Sequence, residues 1–310
     1  MINRILIRIK VVQMLYNYLL TRTIKSEAEA RDELRESLDK SHELYNYLLL
    51  LMIDLTAQQD QVLYENKQKF MPTDEDLHPN MRFVDNWLVA RLRDDEGLMK
   101  FVADRKFTWR DNEIFLRLLL SKVTASDEYK TYMSMPATDI ESDCELWRQL
   151  MRKIILVDDD LVEEVENRSI YWSDEDLDLM GQFAVKTITR AQRGTEPLRF
   201  AQYKDEEDEQ FGDKLFTLAI DGYDEAMGLI EEFLARERWD IERTALFDRV
   251  TMLVAIAELR AFPEIPTAVT LNEYIEIAKR FSTPHSGQFV NGVLNSVLNH
   301  LRYKGEIVKP

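Results

Sequence analysis

Cysteine is nearly absent. The 310-residue chain has one, Cys144, which excludes an internal disulfide framework and a multi-cysteine zinc site. Glycine (9) and proline (8) are scarce, which argues against sandwiches, barrels and glycine-rich nucleotide folds. No apolar run approaches the roughly 18 residues needed to span a bilayer; the longest, Tyr47 to Ile53, is far too short. The usual chemical signatures are missing as well: no glycine-rich phosphate loop, no His-Glu-x-x-His and no Gly-x-Ser-x-Gly. The four histidines (His42, His78, His285, His300) lack metal-ligand spacing, and Cys144 sits between Asp143 and Glu145, acids that raise a thiol pKa. The successive carboxylates Asp158, Asp159 and Asp160 point in different directions if helical and do not converge on a cation without a loop. The expectation is a protein that is not an enzyme and uses no cofactor and no metal.

Cations are also in deficit. Forty Lys+Arg against 57 Asp+Glu leave a formal charge of -17, and phosphate binding is driven by positive charge. The deficit is unevenly spread. Residues 1–25 carry +5, from Arg4, Arg8, Lys10, Arg22 and Lys25, and residues 266–310 carry +2, so residues 26–265 hold -24. If the two ends meet in space, a local basic face on an acidic body results; otherwise these are solvated helix faces. Arg4, Arg8 and Lys10 interrupt the N-terminal apolar stretch, unlike the clean apolar region of a signal peptide. A soluble, cytoplasmic chain with no membrane contact is expected.

With 45% hydrophobic and 31% charged residues, the chain is predicted to fold rather than remain disordered. Helix-type periodicity dominates, and the fold class is predicted as all-α. The spacing predicts helices over about 3–20, 27–70, 81–105, 110–124, 142–168, 174–192, 213–236, 243–262, 271–281 and 286–303. The acidic run Lys204 to Glu209 is predicted as a linker, and Thr270 with Glu273 as a capping box. Trp109, Trp172 and Trp239 each precede an acidic helix start, which is either a faint internal repeat or ordinary packing at helix junctions.

Three stretches stand out: Arg4 to Tyr16 (RILIRIKVVQMLY), Trp239 to Leu259, and Ile265 to Asn295 with Asn-Glu-Tyr-Ile-Glu-Ile-Ala-Lys-Arg-Phe followed by Phe-Val-Asn-Gly-Val-Leu. Together they resemble the NusB family of bacterial transcription antitermination factors, over about residues 1–20 and 211–303. The resemblance implies a NusB-like helical bundle with a large additional helical region. Residues 1–25 would be its first helix, 26–205 an acidic helical insertion and 206–310 the C-terminal bundle. It also implies a cytoplasmic, non-catalytic RNA-binding factor that pairs with the ribosomal protein NusE on boxA-like single-stranded RNA within a transcription elongation complex. The rival reading is a protein-interaction scaffold that has lost direct RNA binding.

Carried over residue by residue, the resemblance assigns Arg4, Arg8, Lys10, Gln13, Lys279, Phe289 and Asn291 to RNA, and Tyr16 and Glu258 to the protein partner. Here Ile5, Leu6 and Ile7 stand where the family has arginines, and Ala257, Leu253 and Asn295 depart from its usual Tyr, Arg and Asp. On a helix Arg4 and Arg8 stack at i, i+4, with Lys10 and Gln13 round the other side. Phe289 suits either base stacking or core packing. Glu258, in an apolar helix, requires either a partner or a solvent-facing position.

Overall fold

The computed structural model describes residues 2–236 and 244–309. They are all-α, with no β-strand among the described residues. Packing divides the chain into two compact units, residues 39–202 and residues 2–38 with 203–310. Trp239 and Arg243, in the second of the motif stretches, lie outside the described residues.

In the two-segment unit, α1 (Arg4–Thr21) starts where the Asn3 side chain accepts from Leu6 N, at 3.0 Å. Next, α2 (Glu27–Lys67) opens on a capping box in which Ser26 N and Oγ donate to Glu29 and Glu29 N donates back to Ser26 Oγ. At 41 residues it belongs to both units. Its first turns stay with α1 because Leu34 and Leu38 pack around Gly212, where a Cβ would fall 3.0 Å from Ile7. The boundary expected at 25/26 thus differs from where packing divides the chain, at 38/39.

The 39–202 unit adds α3 (Asp74–Leu77), α4 (Trp87–Arg93), α5 (Glu96–Arg105), α6 (Glu113–Ala125), α7 (Asp127–Ser134), α8 (Ile140–Leu150), α9 (Asp159–Arg168) and α10 (Asp174–Gln192). The single helix expected over 142–168 is two. A π-type turn, Met151–Ile155, follows α8, and Asp158 then caps a new helix by accepting from Asp160 N and Leu161 N. The three aspartates therefore occupy a helix N-terminus, where the dipole favours negative charge, and Lys122 bridges Asp158 and Asp160 at 2.6 and 2.7 Å. Likewise 81–105 is broken, because Asn86 and Asp95 each cap a fresh start. Gly194, at φ 62, turns the chain after α10.

Residues 203–310 supply α11 (Glu206–Asp221), α12 (Tyr223–Arg236), α13 (Leu246–Ala261), α14 (Thr267–Phe281) and α15 (Ser286–Tyr303). The acidic run is not a linker. Asp205 caps α11 by accepting from Asp208 N, and Glu206 to Glu209 form the first turn, where carboxylates stabilise the helix. Gly222 divides the predicted 213–236 segment into α11 and α12. The expected Thr270–Glu273 box is also absent, because α14 begins one turn earlier, directly after Pro266.

His42, on α2 within the 39–202 unit, bonds Phe200 O at 3.3 Å, and its pKa falls to about 4, chiefly because burial disfavours the charged ring. The unfolded chain titrates near 6.5, so between these values it binds a proton that the folded state does not. Stability is then complete above about pH 6.5 and falls on acidification towards pH 4, by up to about 3 kcal/mol from this group. Urea midpoints at pH 7.5 and 4.5 check this: His42→Gln should flatten the dependence, and an unchanged slope would exclude His42 as its source.

Candidate functional site

The polar residues singled out in α1 and α13 meet inside the two-segment unit. Arg8 Nε and Nη2 donate to Glu258 Oε2 and Oε1 at 2.7 and 2.9 Å. Thr270 Oγ1 and Tyr274 OH, one turn apart on α14, donate to the same two oxygens at 2.8 and 2.9 Å. Glu258 is 0% exposed and Arg8 3%, so the carboxylate faces four donors and no bulk water. Burial alone would lower the Arg8 pKa, but the hydrogen bonds and charge of Glu258 outweigh it and hold the guanidinium above its ordinary value. The Tyr274 hydroxyl is driven well above its usual pKa by burial first and then by the Glu258 charge. The Lys309 ammonium closes the far end of α13, donating to Phe262 O at 2.7 Å and Glu258 O at 3.3 Å.

This geometry corrects three of the sequence assignments. Arg8 and Lys10, each 3% exposed, do not present cations to a phosphate backbone, and Glu258 does not present a carboxylate to a partner. The physical reason is the apolar character of α1. With Leu6, Ile7, Ile9, Val11 and Val12 all buried, the intervening cations go inward with them and must be matched there. Thr270 and Tyr274 went unrecognised in the sequence as partners, although their four-residue spacing places them on one face of α14.

The remaining assigned residues reach solvent at least partly. Arg4 is partly exposed but held by Asp208 (2.7 Å), Glu207 (3.1 Å) and Glu264 (3.8 Å), with its guanidinium 4.9 Å from the Phe211 ring centre. Gln13 is half-buried, and Tyr16 is half-buried against Phe247, with ring centres 5.7 Å apart. Lys279 is exposed and paired with Glu276, its stem lying across Gly287, where a Cβ would fall 2.3 Å from Lys279 Cγ. Asn291 lies one turn beyond Gly287 on α15 and is exposed, whereas Phe289 is half-buried. Lys279 and Asn291 thus share one end of the α14–α15 pair. Among the described residues, no cluster of His, Cys, Asp or Glu suits a metal ion, and no helix is long and apolar enough to cross a membrane.

Residues 182–299 match the family model described as "NusB family". The chain is 41% identical over 99 residues to the transcription antitermination protein NusB of Salinibacter ruber, covering 32% of this chain and 61% of that protein. It is 44% identical over 104 residues to the NusB protein of Koribacter versatilis, covering 33% of this chain and 70% of that protein. A match to the NusB protein of Dictyoglomus thermophilum is 37% identical over 90 residues and again covers 61% of that protein. The chain therefore spans somewhat under two thirds of two of these relatives. No solved structure matches it.

Proposed function

The chain belongs to the NusB family, and from that premise we propose that it is a non-catalytic transcription antitermination factor working through boxA-type RNA and the ribosomal protein NusE. The carrying observation is the 44% identity to a protein described as a transcription antitermination protein. In this reading the acidic helical insertion expected over 26–205 lies largely in the 39–202 unit, inside which the family match begins at residue 182. The Arg8–Glu258 network clamps α1 onto α13 and α14, so that the outer faces of α1, α14 and α15 keep a fixed relation. The RNA side draws on the side chains that reach solvent: Arg4, Gln13, Lys279, Phe289 and Asn291. Tyr16 serves the protein partner.

A second reading, a scaffold without direct RNA affinity, is favoured by one observation: Arg4 and Lys279 are already paired with carboxylates. Titration of boxA-like single-stranded RNA into the chain, with and without NusE and at two salt concentrations, separates the two. The antitermination reading expects binding by the NusE complex, with the salt slope reduced by about one charge in each of Arg4→Ala and Lys279→Ala. RNA binding by neither the chain nor the complex would leave the scaffold.

A further inference from the structure

We propose that the outward face of α6, in the 39–202 unit, is a docking surface for a basic amphipathic helix of a partner protein. The inner face of α6 is fully used: Phe115, Leu116, Leu119, Leu120 and Val123 are buried. Its outer face nevertheless carries two large aliphatic side chains at i, i+4 spacing, Ile114 at 75% exposure and Leu118 at 51%. Ser121 and Ala125 continue the stripe as exposed small residues that leave room for an approaching backbone. Exposed apolar side chains aligned along one helix face are the footprint that a partner helix covers with its own apolar stripe.

Charge decides which partner fits. The two cations bordering the stripe are each shared between two carboxylates: Arg117 between Glu65 and Glu113, and Lys122 between Asp158 and Asp160. The margins are therefore net negative, on a unit that is itself acidic. Residues 39–202 contribute -11 of the chain's -17. A second copy of this chain would bring like charge to the contact, and an acidic peptide would be repelled. A helix with apolar residues on one face and Lys or Arg along its edges satisfies both the stripe and its margins.

The test uses the full chain and a labelled amphipathic Leu/Lys helix of about 18 residues, followed by fluorescence anisotropy near 0.15 M salt. Wild type is expected to bind, and the double variant Ile114→Asp/Leu118→Asp to bind about tenfold or more weakly. That variant adds negative charge, so a purely electrostatic attraction would leave affinity equal or higher, and that result overturns the proposal. A neutral control, Ile114→Ser/Leu118→Ser, should weaken binding similarly with circular dichroism unchanged. Failure of wild type to bind overturns the proposal, as does sedimentation showing a dimer of wild type that the double variant loses.

Discussion

Glu258→Lys is expected to unfold the unit built from residues 2–38 and 203–310. Glu258 has no exposed surface, and its two oxygens accept from Arg8, Thr270 and Tyr274. Lysine there would set a second cation against Arg8 and leave four donors without an acceptor in a dry interior. Removing one member of a buried ion pair costs about 3–5 kcal/mol, and charge reversal adds to that. Since whole domains are stable by only about 5–15 kcal/mol, a largely unfolded unit is the expected result. Glu258→Gln, which keeps the shape and one acceptor oxygen, should lose less. Arg8→Met combined with Glu258→Leu should cost far less than the sum of the single changes, because no charge is then stranded. Urea denaturation of these five variants, the two single changes included, measures this, and a Glu258→Lys protein within about 1 kcal/mol of wild type would refute the buried-pair account.

The second large effect lies in the other unit. Trp109 is fully buried, and its Nε1 donates to Tyr47 O at 2.7 Å. Its backbone N donates to Asp54, which also accepts from Thr108 Oγ1, both at 3.0 Å, and pairs with Arg110 at 3.2 Å. The ring packs against Phe107 and Phe115, with centres 5.3 and 5.7 Å away. Trp109→Ala would open a cavity the size of an indole between α2 and α6 and should cost about 3–5 kcal/mol. Trp109→Phe keeps most of the volume and loses only the indole N–H bond to Tyr47 O, a carbonyl that still accepts within α2, for about 1 kcal/mol. Denaturation followed by near-UV circular dichroism checks both; an alanine variant losing under about 1 kcal/mol would mean that the joint closes without the indole.

Trp109 also resolves the faint tryptophan echo for two of its members. Trp109 and Trp172 both act as helix-junction packing, each donating its indole N–H to a carbonyl of α2, Tyr47 O and Lys40 O. Trp239 lies outside the described residues.

Helix content and the apolar stripes of α10, α14 and α15 were legible in the sequence because a 3.6-residue period is a local property, and so were the turns at Pro266 and Gly194. Helix boundaries were less legible. Asp158 reads as the interior of a helix over 142–168 and Asp205 as part of a linker, and only the backbone N–H groups they accept from identify them as caps. The motif residues of the NusB family were visible too, as were the acidic body and the basic ends. What the sequence left open was which way each motif side chain faces. Arg8 and Glu258 are 250 positions apart, and nothing local to either says that the other lies 2.7 Å away. An arginine on an amphipathic helix suits phosphate or interior equally well until a carboxylate of matching depth is found. Burial is a property of the packed whole, and the assembled helices α1, α13 and α14 alone decided that these two charges face each other inside their unit rather than solvent.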